Sequence, residues 1–250
     1  MRRAGTPRVL GPRLLSVVLA IGIVTGPFVL GTSATPAAAV AHRTISFSGY
    51  TWTIKTSTRR VGPGPNYFSK KNAWVDGLGQ LHLAITKVRR HWVVGEVVNT
   101  QSLGFGTYTW VLASRVDNLD PSMVLGLFTY DSADPSFNNR EIDIEASRWG
   151  NASDPTNADF VVQPYSTAGN EIRTTQGSSL PATFSFTWTG TSVSFSAPGA
   201  SPSSWTYTGP DVPPNGAALA DINFWLQSGH APQYGQGAQV IIKSFTFTPA

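Results

Sequence analysis

Three carboxylates stand at alternate positions in the stretch "FNNREIDIEASRWG", residues 137–150: Glu141, Asp143 and Glu145, separated by Ile142 and Ile144. Residues two apart on a β-strand share a face, so the sequence predicts that the carboxylates lie on one surface while the isoleucines enter the core. Like charges this close repel one another, which destabilises the fold unless protons are shared or a ligand uses the site. The chain has only 14 acidic residues and places three of them within five positions, which favours a functional site over a solvated edge strand.

Glycoside hydrolysis is the chemistry that needs this pattern. Two carboxyl groups flank the glycosidic bond, one attacking or activating water and the other donating a proton, and a separation of about 5 to 5.5 Å accompanies retention of configuration. Asp143, between the glutamates, can push their pKa values apart, so that one is ionised while the other stays protonated. The residues alone do not say which glutamate plays which part.

Residues 1–41 have the plan of a secretory signal peptide, with an arginine-rich start, the apolar run "LLSVVLAIGIVTGPFVLG" and the small-residue stretch "TSATPAAAVA". Cleavage is expected after Ala39 or Ala41, and an uncleaved membrane anchor is the alternative. The chain has 18 Lys and Arg against 14 Asp and Glu. The leader contains four of the basic residues and no acidic one, so residues 42–250 hold 14 of each and are formally neutral. We therefore expect a secreted protein with a neutral ligand, no nucleic-acid partner and no stable membrane association after signal cleavage, and we further expect a monomer.

Cysteine is absent from the chain, which excludes disulfides, thiolate metal sites and a cysteine nucleophile. The four histidines are too widely spaced in sequence to suggest a zinc site: His42, His82, His91 and His230. No cofactor is expected, and structural calcium is left open.

The rest of the mature chain has the pattern of short strands. Segments such as "GQLHLAITKV", "MVLGLFTY", "ATFSFTWTG" and "LADINFWLQS" are rich in β-branched or aromatic residues and mostly alternate, with Gly, Pro, Asn, Asp and Ser between them. No helical stretch, long linker or internal repeat interrupts this series. The pattern predicts one all-β domain over residues 42–250, an antiparallel β-sandwich of the jelly-roll type with a concave cleft that binds carbohydrate.

"EIDIE" resembles the E-x-D-x-E signature of glycoside hydrolase family 16, the superfamily of lichenase- and laminarinase-like β-glucanases with a concanavalin A-like jelly roll. "FGTYTW" and "LFTYDSADPSFNN" resemble family segments that precede the signature, and "FSFTW" and "INFWLQSG" resemble later paired strands that bring aromatic and Asn-x-Trp side chains to the cleft. Only the carboxylate triplet is specific. The resemblance implies a retaining endo-acting enzyme in which Glu141 is the nucleophile, Asp143 an auxiliary carboxylate and Glu145 the general acid/base.

Sugar clefts combine flat aromatic faces with hydrogen-bonding groups. The resemblance and the alternation of side chains together nominate eight substrate-binding residues. They are Phe128, Tyr130, Gln163, Tyr165, Asn223 and Trp225, with Arg148 and Trp149 on a rim where "ASRWG" replaces the family's usual Phe-Leu-Gly.

Two functions are compatible with the sequence. The favoured one is a secreted retaining endo-glycosidase or transglycosylase acting on a neutral polysaccharide such as a β-glucan. The alternative is a lectin-like sandwich that binds carbohydrate without turnover. The sequence does not specify the linkage, nor whether water or a second sugar releases the product.

Overall fold

Strands account for nearly all regular structure in residues 43–250, the part of the chain that the computed structural model describes. The predicted signal peptide of residues 1–41 lies outside these described residues. Two short 3-10 helices occur, at Pro135–Arg140 and Gln227–Gly229. No helix within residues 43–250 combines the length and the apolar character needed to cross a membrane. The seventeen strands are β1 (Thr44–Phe47), β2 (Tyr50–Ile54), β3 (Tyr67–Phe68), β4 (Ala73–Val75), β5 (Leu81–Val88), β6 (His91–Ser102), β7 (Gly106–Leu112), β8 (Met123–Tyr130), β9 (Ile142–Ala146), β10 (Ala158–Val162), β11 (Glu171–Gln176), β12 (Ala182–Trp188), β13 (Val193–Ser196), β14 (Ala200–Ser201), β15 (Ser204–Tyr207), β16 (Leu219–Leu226) and β17 (Ala238–Pro249).

Two curved layers result from the pairing of these strands. The inner layer has the order β1-β2-β6-β16-β8-β9-β10-β11. The outer layer has the order β4-β5-β17-β7-β12-β13-β15. The β5–β6 hairpin joins the layers, β14 pairs with β11, and β3 is the one strand of the described residues that pairs in parallel, with β6. The predicted all-β antiparallel sandwich is confirmed.

Alternating burial builds the core between the layers. In β7 and β12 every second side chain is buried, and Tyr108 stacks on Phe186 across this pair with ring centroids 4.9 Å apart. Ile142 and Ile144 are 0% and 1% exposed, which confirms their predicted place in the core. Burial of each isoleucine side chain contributes about 1.5–3 kcal/mol to the free energy of folding. The two isoleucines therefore anchor β9 to the core, and the carboxylates lie on its opposite face.

One expectation about strand placement is wrong. "FSFTW" forms β12 in the outer layer, where it pairs with β7 and β13, whereas "INFWLQSG" begins in β16 of the inner layer, which pairs with β6 and β8. Trp188 is fully buried and its indole N–H donates to the carbonyl oxygen of Pro213 at 2.9 Å. The two segments have similar local patterns, but only one belongs to the layer that carries the carboxylates.

Candidate active site

Strand register brings residues that are far apart in sequence into two rows across the inner layer. Residues directly opposite each other on paired strands project to the same face. One row reads Glu96, Asn223, Gly126, Glu145, Asp159 and Arg173 from β6 to β11. The second row, two residues along each strand, reads Val98, Asp221, Phe128, Asp143, Val161 and Glu171.

The three carboxylates of the signature line one cavity of about 950 Å³ above these rows. Glu141 directly precedes β9, and Asp143 and Glu145 lie on it. Asp143 is 3% exposed, while Glu141 and Glu145 are half-buried. The predicted common surface for the triplet is therefore present, and it opens into a space large enough for sugar units.

An unusual backbone turn directly precedes Glu141 and positions it at the cavity. Asn138, Asn139 and Arg140 have φ values of 48°, 58° and 50°, three consecutive residues in the left-handed region. Asn tolerates this conformation better than most residues, while an arginine there needs support from its surroundings. The Arg140 guanidinium forms ion pairs of 2.7 Å with both Asp131 and Asp134, which support this conformation. The backbone carbonyl of Arg140 also accepts a hydrogen bond from Thr129 Oγ1.

Burial and mutual repulsion govern the electrostatics of the triplet. Burial raises the pKa of Glu141 to about 7, against a lowering hydrogen bond with Asp143. The pKa of Asp143 is raised by burial and by the charges of Glu141 and Glu145, against a hydrogen bond of 2.9 Å from Gln163 Nε2 to Asp143 Oδ2. The pKa of Glu145 is raised well above its ordinary value by burial first and by the charge of Asp159 second. Burial thus raises the pKa of both glutamates, and the leading neighbour is Asp143 for Glu141 and Asp159 for Glu145.

Asp159 is itself tied to a rigid set of donors. It lies opposite Glu145 in the β9–β10 register and is 1% exposed. Its carboxylate accepts a hydrogen bond from Trp149 Nε1 at 2.7 Å and forms an ion pair with Arg173. Arg173 also donates to Ser147 O and to Asp154 Oδ2, both at 3.1 Å. Burial raises the pKa of Asp159 to about 8, against the lowering effects of the Arg173 charge and the Trp149 hydrogen bond, so the network holds a titratable carboxyl group directly beside Glu145.

The solved structures to which this chain is similar include β-glucanases. The sequence matches no family model and no curated protein sequence, so the comparison rests on three-dimensional structure. A Bacillus licheniformis β-glucanase superposes with a TM-score of 0.60 at 19% identity, covering 80% of this chain and 92% of its own. A glycoside hydrolase family 16 endo-glucanase from Bacteroides ovatus, in complex with G4G3G-2F-DNP, gives 0.61 at 13% identity, covering 79% and 94%. The chain has the jelly-roll fold of the family 16 β-glucanases.

A third structural neighbour is a pseudo-glucanase. It is Rv0315 of Mycobacterium tuberculosis, an immunostimulatory antigen and pseudo β-1,3-glucanase, with a TM-score of 0.55 at 16% identity, covering 80% of this chain and 91% of its own. All three identities are low, and the shared property is the fold.

On this family 16 fold, seven of the eight predicted substrate-binding residues line the same cavity as the triplet: Phe128, Tyr130, Trp149, Gln163, Tyr165, Asn223 and Trp225. Trp149 and Trp225 meet edge to face at 5.9 Å, and Tyr165 is 66% exposed at the rim. The eighth, Arg148, is not among the lining residues. Its guanidinium donates to the backbone carbonyls of Asp117 at 3.0 Å and Asp154 at 3.3 Å, so it braces the loop behind the cavity.

Gly126 leaves the space that Asn223 occupies. A Cβ at position 126 would lie 2.5 Å from Asn223 Oδ1, and the backbone N–H of Gly126 donates to that same oxygen at 3.1 Å. Any larger residue would displace the asparagine from the floor of the cavity. Glycine is therefore required here for close packing, in the middle of a strand where it is otherwise unfavourable.

Five charged lining residues were not predicted from the sequence: Lys55, Glu96, Asp159, Glu171 and Asp221. Asp221 had a usable signal, because it stands two positions before Asn223 on the same strand and therefore shares its face. Glu96 is a single acidic residue within the apolar stretch "WVVGEVV" of β6, which is a weaker signal. Within residues 43–250 no group of three or more potential ligands is arranged to hold a metal ion.

Proposed function

We propose that this protein is a secreted retaining endo-glycosidase, or transglycosylase, that acts on a neutral polysaccharide such as a β-glucan. The observation that carries the proposal is the alignment of Glu141, Asp143 and Glu145 along the floor of a cavity of about 950 Å³. The β-glucanase fold adds support. The export step rests on the signal-like sequence of residues 1–41 alone.

Glu145 is the general acid in the proposed mechanism. Burial and the charge of Asp159 both raise its pKa, which favours the protonated form that a general acid needs. It gives this proton to the glycosidic oxygen as the bond to the anomeric carbon breaks. The leaving sugar then departs with a complete hydroxyl group.

Glu141 is the nucleophile. Its pKa of about 7 leaves a substantial ionised fraction at neutral pH, and the ionised carboxylate attacks the anomeric carbon to form a covalent glycosyl-enzyme. Water or a sugar hydroxyl then attacks from the opposite face, Glu145 takes up its proton, and two inversions give net retention. The hydrogen bond that lowers the pKa of Glu141 and the charge that raises the pKa of Glu145 are compatible with the order of roles that the family resemblance implies.

Asp143 and the aromatic lining position the reacting groups. Asp143 lies between the glutamates and accepts a hydrogen bond from Gln163. The charges of Glu141 and Glu145 raise the pKa of Asp143, so the ionisation of the three groups is linked. Trp225, Phe128 and Tyr130 present apolar ring faces to the cavity, on which the C–H faces of pyranose rings can stack. The indole N–H of Trp225 has no hydrogen-bond partner among residues 43–250 and is a free donor for a sugar oxygen.

Carbohydrate binding without turnover is the second candidate function. It is favoured by one observation, the description of a structural neighbour as a pseudo β-1,3-glucanase. Against it, three mutually repelling carboxylates on the cleft floor destabilise a protein that only binds, whereas catalysis uses each of them.

Release of reducing ends from a panel of neutral polysaccharides tests the proposal. Glu141→Gln and Glu145→Gln are each expected to lower kcat/KM by a few orders of magnitude with the unfolding temperature preserved or raised. NMR of the first product should show the anomeric configuration of the substrate. Asp117→Asn is the control, because this carboxylate pairs with Arg115 away from the cavity. Glucan binding with no turnover by the unaltered protein would favour the second candidate.

A further inference from the structure

Basic side chains are concentrated in one stretch of this formally neutral domain. Residues 55–91 contain eight of the 14 Lys and Arg of residues 42–250 but only one of the 14 Asp and Glu, which is Asp76. That carboxylate is already engaged, because its Oδ2 lies 2.9 Å from Nε2 of His82. The stretch therefore carries a local excess of positive charge, although the domain as a whole is neutral.

Part of this charge surrounds a hollow of about 300 Å³ next to the cleft. Arg60 comes from the segment between β2 and β3, and Lys87 and Arg90 come from the β5–β6 hairpin. No aspartate or glutamate of residues 43–250 lines the hollow. Pro65 lines both the hollow and the cleft, so the two spaces adjoin at the loop that contains this proline. Aromatic rings complete the lining of the hollow: Tyr67, His91 and Trp92.

The three cations of the hollow are exposed and lack a counter-charge. Arg60, Lys87 and Arg90 form no ion pair with any residue of 43–250. The guanidinium of Arg60 lies 5.7 Å from the centroid of the Tyr67 ring, and the ammonium group of Lys87 lies 5.8 Å from that of Trp92. Such ring contacts restrain a cation without neutralising it. The three groups are therefore available to bind an anion.

The turn of the β5–β6 hairpin is built from residues that do not favour it. Val88 pairs with His91, so the turn consists of Arg89 and Arg90 alone. Arg89 has a φ of 56°, a conformation that Gly, Asn or Asp adopts most readily in a two-residue turn. Its guanidinium forms no ion pair within residues 43–250 that would offset the strain. A local rule broken without such an offset favours a use for the charge.

The lining groups match a sugar unit that bears a carboxylate or a phosphate. An arginine guanidinium binds either group through two parallel hydrogen bonds, and a lysine adds a compact positive charge. The volume of the hollow lies at the lower end of the range for small-molecule sites. Nucleic-acid bases need open ring faces on which to stack. Tyr67 offers none, because its ring contacts His91 at a centroid distance of 4.9 Å and also contacts Arg60.

The neighbouring cleft does not suit the same anionic unit. Seven carboxyl groups line the cleft against the single ammonium group of Lys55, so a further negative group there is disfavoured. A unit bound in the hollow therefore belongs to a polymer different from the neutral chain that the cleft takes in the proposed function. The seven groups are those of Glu96, Glu141, Asp143, Glu145, Asp159, Glu171 and Asp221.

We propose that Arg60, Lys87 and Arg90 form a second glycan site, which lies outside the cleft and binds a carboxylate- or phosphate-bearing sugar unit of an anionic polysaccharide. The site holds the protein on this polymer while the cleft stays open to a neutral chain. Such a tether raises the effective concentration of the cleft around neutral chains that accompany the anionic polymer. The site does not require that the cleft hydrolyses its ligand.

Titration calorimetry with trigalacturonate, which carries a carboxylate on each ring, tests the site. Arg60→Gln and Arg90→Gln are each expected to raise Kd about tenfold, because each removes a charge-assisted hydrogen bond. The unfolding temperature should not change, since both side chains are exposed and without an ion pair. Lys243→Gln is the matched control, because it removes one positive charge from an exposed position of β17 outside the hollow. Its Kd should equal that of the unaltered protein.

Three results of this titration would overturn the site. They are an absence of binding, an unchanged Kd in both arginine variants, and equal weakening by Lys243→Gln, which would show a general effect of charge. Glucose 6-phosphate as a second probe shows whether a phosphate replaces the carboxylate, and dependence of either sugar probe on Arg60 supports the site. Tighter Arg60-dependent binding of inorganic phosphate, a thymidine oligonucleotide or phosphatidylglycerol vesicles than of both sugars would overturn it.

Activity separates the second site from the cleft. Arg60→Gln and Arg90→Gln should leave kcat/KM on a soluble neutral glucan unchanged, because neither residue lines the cleft. A loss of kcat/KM that matches the loss of trigalacturonate binding would show that the two spaces act as one site, and would overturn the proposal. Binding of trigalacturonate that depends on Arg60, in a protein that hydrolyses no polysaccharide, would support the second site and contradict only the proposed hydrolysis.

Discussion

At the scale of single residues, Glu141 and Glu145 differ most in what lies beside them. Glu141 shares a hydrogen bond with Asp143, which lowers its pKa against the effect of burial, whereas Glu145 faces the charge of Asp159. Two identical side chains four positions apart thus have raised pKa values with different neighbouring groups acting on each. Such a difference between paired carboxylic acids is how one protein provides both an acid and a base at the same pH.

Asp159→Asn tests this account of Glu145. The pKa of Asp159 is raised to about 8, so this carboxyl group is ionised on the alkaline side. Removing its charge should lower the pKa of Glu145 there, because the ionised form of the glutamate would no longer be repelled. A general acid is active when protonated, so the alkaline limb of kcat/KM is expected to move to lower pH. The measurement is a pH–rate profile with a soluble glucan. Asp76→Asn alters a carboxylate paired with His82 outside the cavity and should leave the profile in place. An unmoved alkaline limb in Asp159→Asn would contradict the assignment.

At the scale of structural elements, the connection between β8 and β9 decides where Glu141 points. Three left-handed residues in succession are unfavourable for a free chain. The buried guanidinium of Arg140 holds them by bonding Asp131 and Asp134 and by donating from Nε to Pro214 O at 3.2 Å. The acidic triplet therefore depends on a basic residue that immediately precedes it.

Arg140→Gln is expected to cost about 3–5 kcal/mol of unfolding free energy, because it leaves Asp131 buried without its counter-charge. Urea unfolding measures the loss, and kcat should also fall as Glu141 shifts. Arg115 offers a matched comparison, since it forms an ion pair of the same kind with Asp117 but is largely exposed. The urea midpoint of Arg115→Gln should be close to that of the unaltered protein. Equal losses in the two variants would show that burial of the pair is unimportant.

At the scale of the whole molecule, the cleft gathers buried carboxyl groups with raised pKa values, and the surface carries carboxyl groups with lowered ones. The first group, with burial as the leading cause in each, consists of Glu96, Glu141, Asp143, Glu145, Asp159 and Asp221. Asp117, Asp134 and Asp154 belong to the second, with a side-chain hydrogen bond as the leading cause in each. The first group stabilises the fold when protonated and the second when ionised.

Stability should therefore fall as pH rises from about 4.5 to about 7, the window set by the ordinary and the folded pKa of Glu141. In this window the folded protein binds more protons than the unfolded chain, so the free energy of unfolding decreases with pH. The groups with lowered pKa values stay ionised here and lose their contribution only at pH values below their ordinary 3.8. Thermal unfolding across the window checks the trend. Glu141→Gln should make the dependence shallower, and an identical slope in that variant would contradict it.

Alternation of residue types predicted which side chains of β9 face the core, because side-chain direction along a strand depends only on neighbouring residues. Ile142 and Ile144 face the core and the three carboxylates face the cavity, as residues of opposite parity on one strand do. The same reasoning failed for "FSFTW", whose alternation is equally clear but whose strand lies in the outer layer. Alternation predicts which side chains share a face of a strand, but it does not predict which layer of the sandwich the strand joins.

The sequence by itself determined that the chain forms an antiparallel sandwich and that Glu141, Asp143 and Glu145 share a surface. Only the tertiary structure decided that β6 and β16 lie beside β8, which brings Glu96 and Asp221 into the same cavity, and that Arg148 braces a loop outside it. The physical reason is that side-chain direction along a strand follows from backbone geometry within a few residues. Which strands become neighbours depends instead on how the layers pack together and bury their apolar faces over the whole chain.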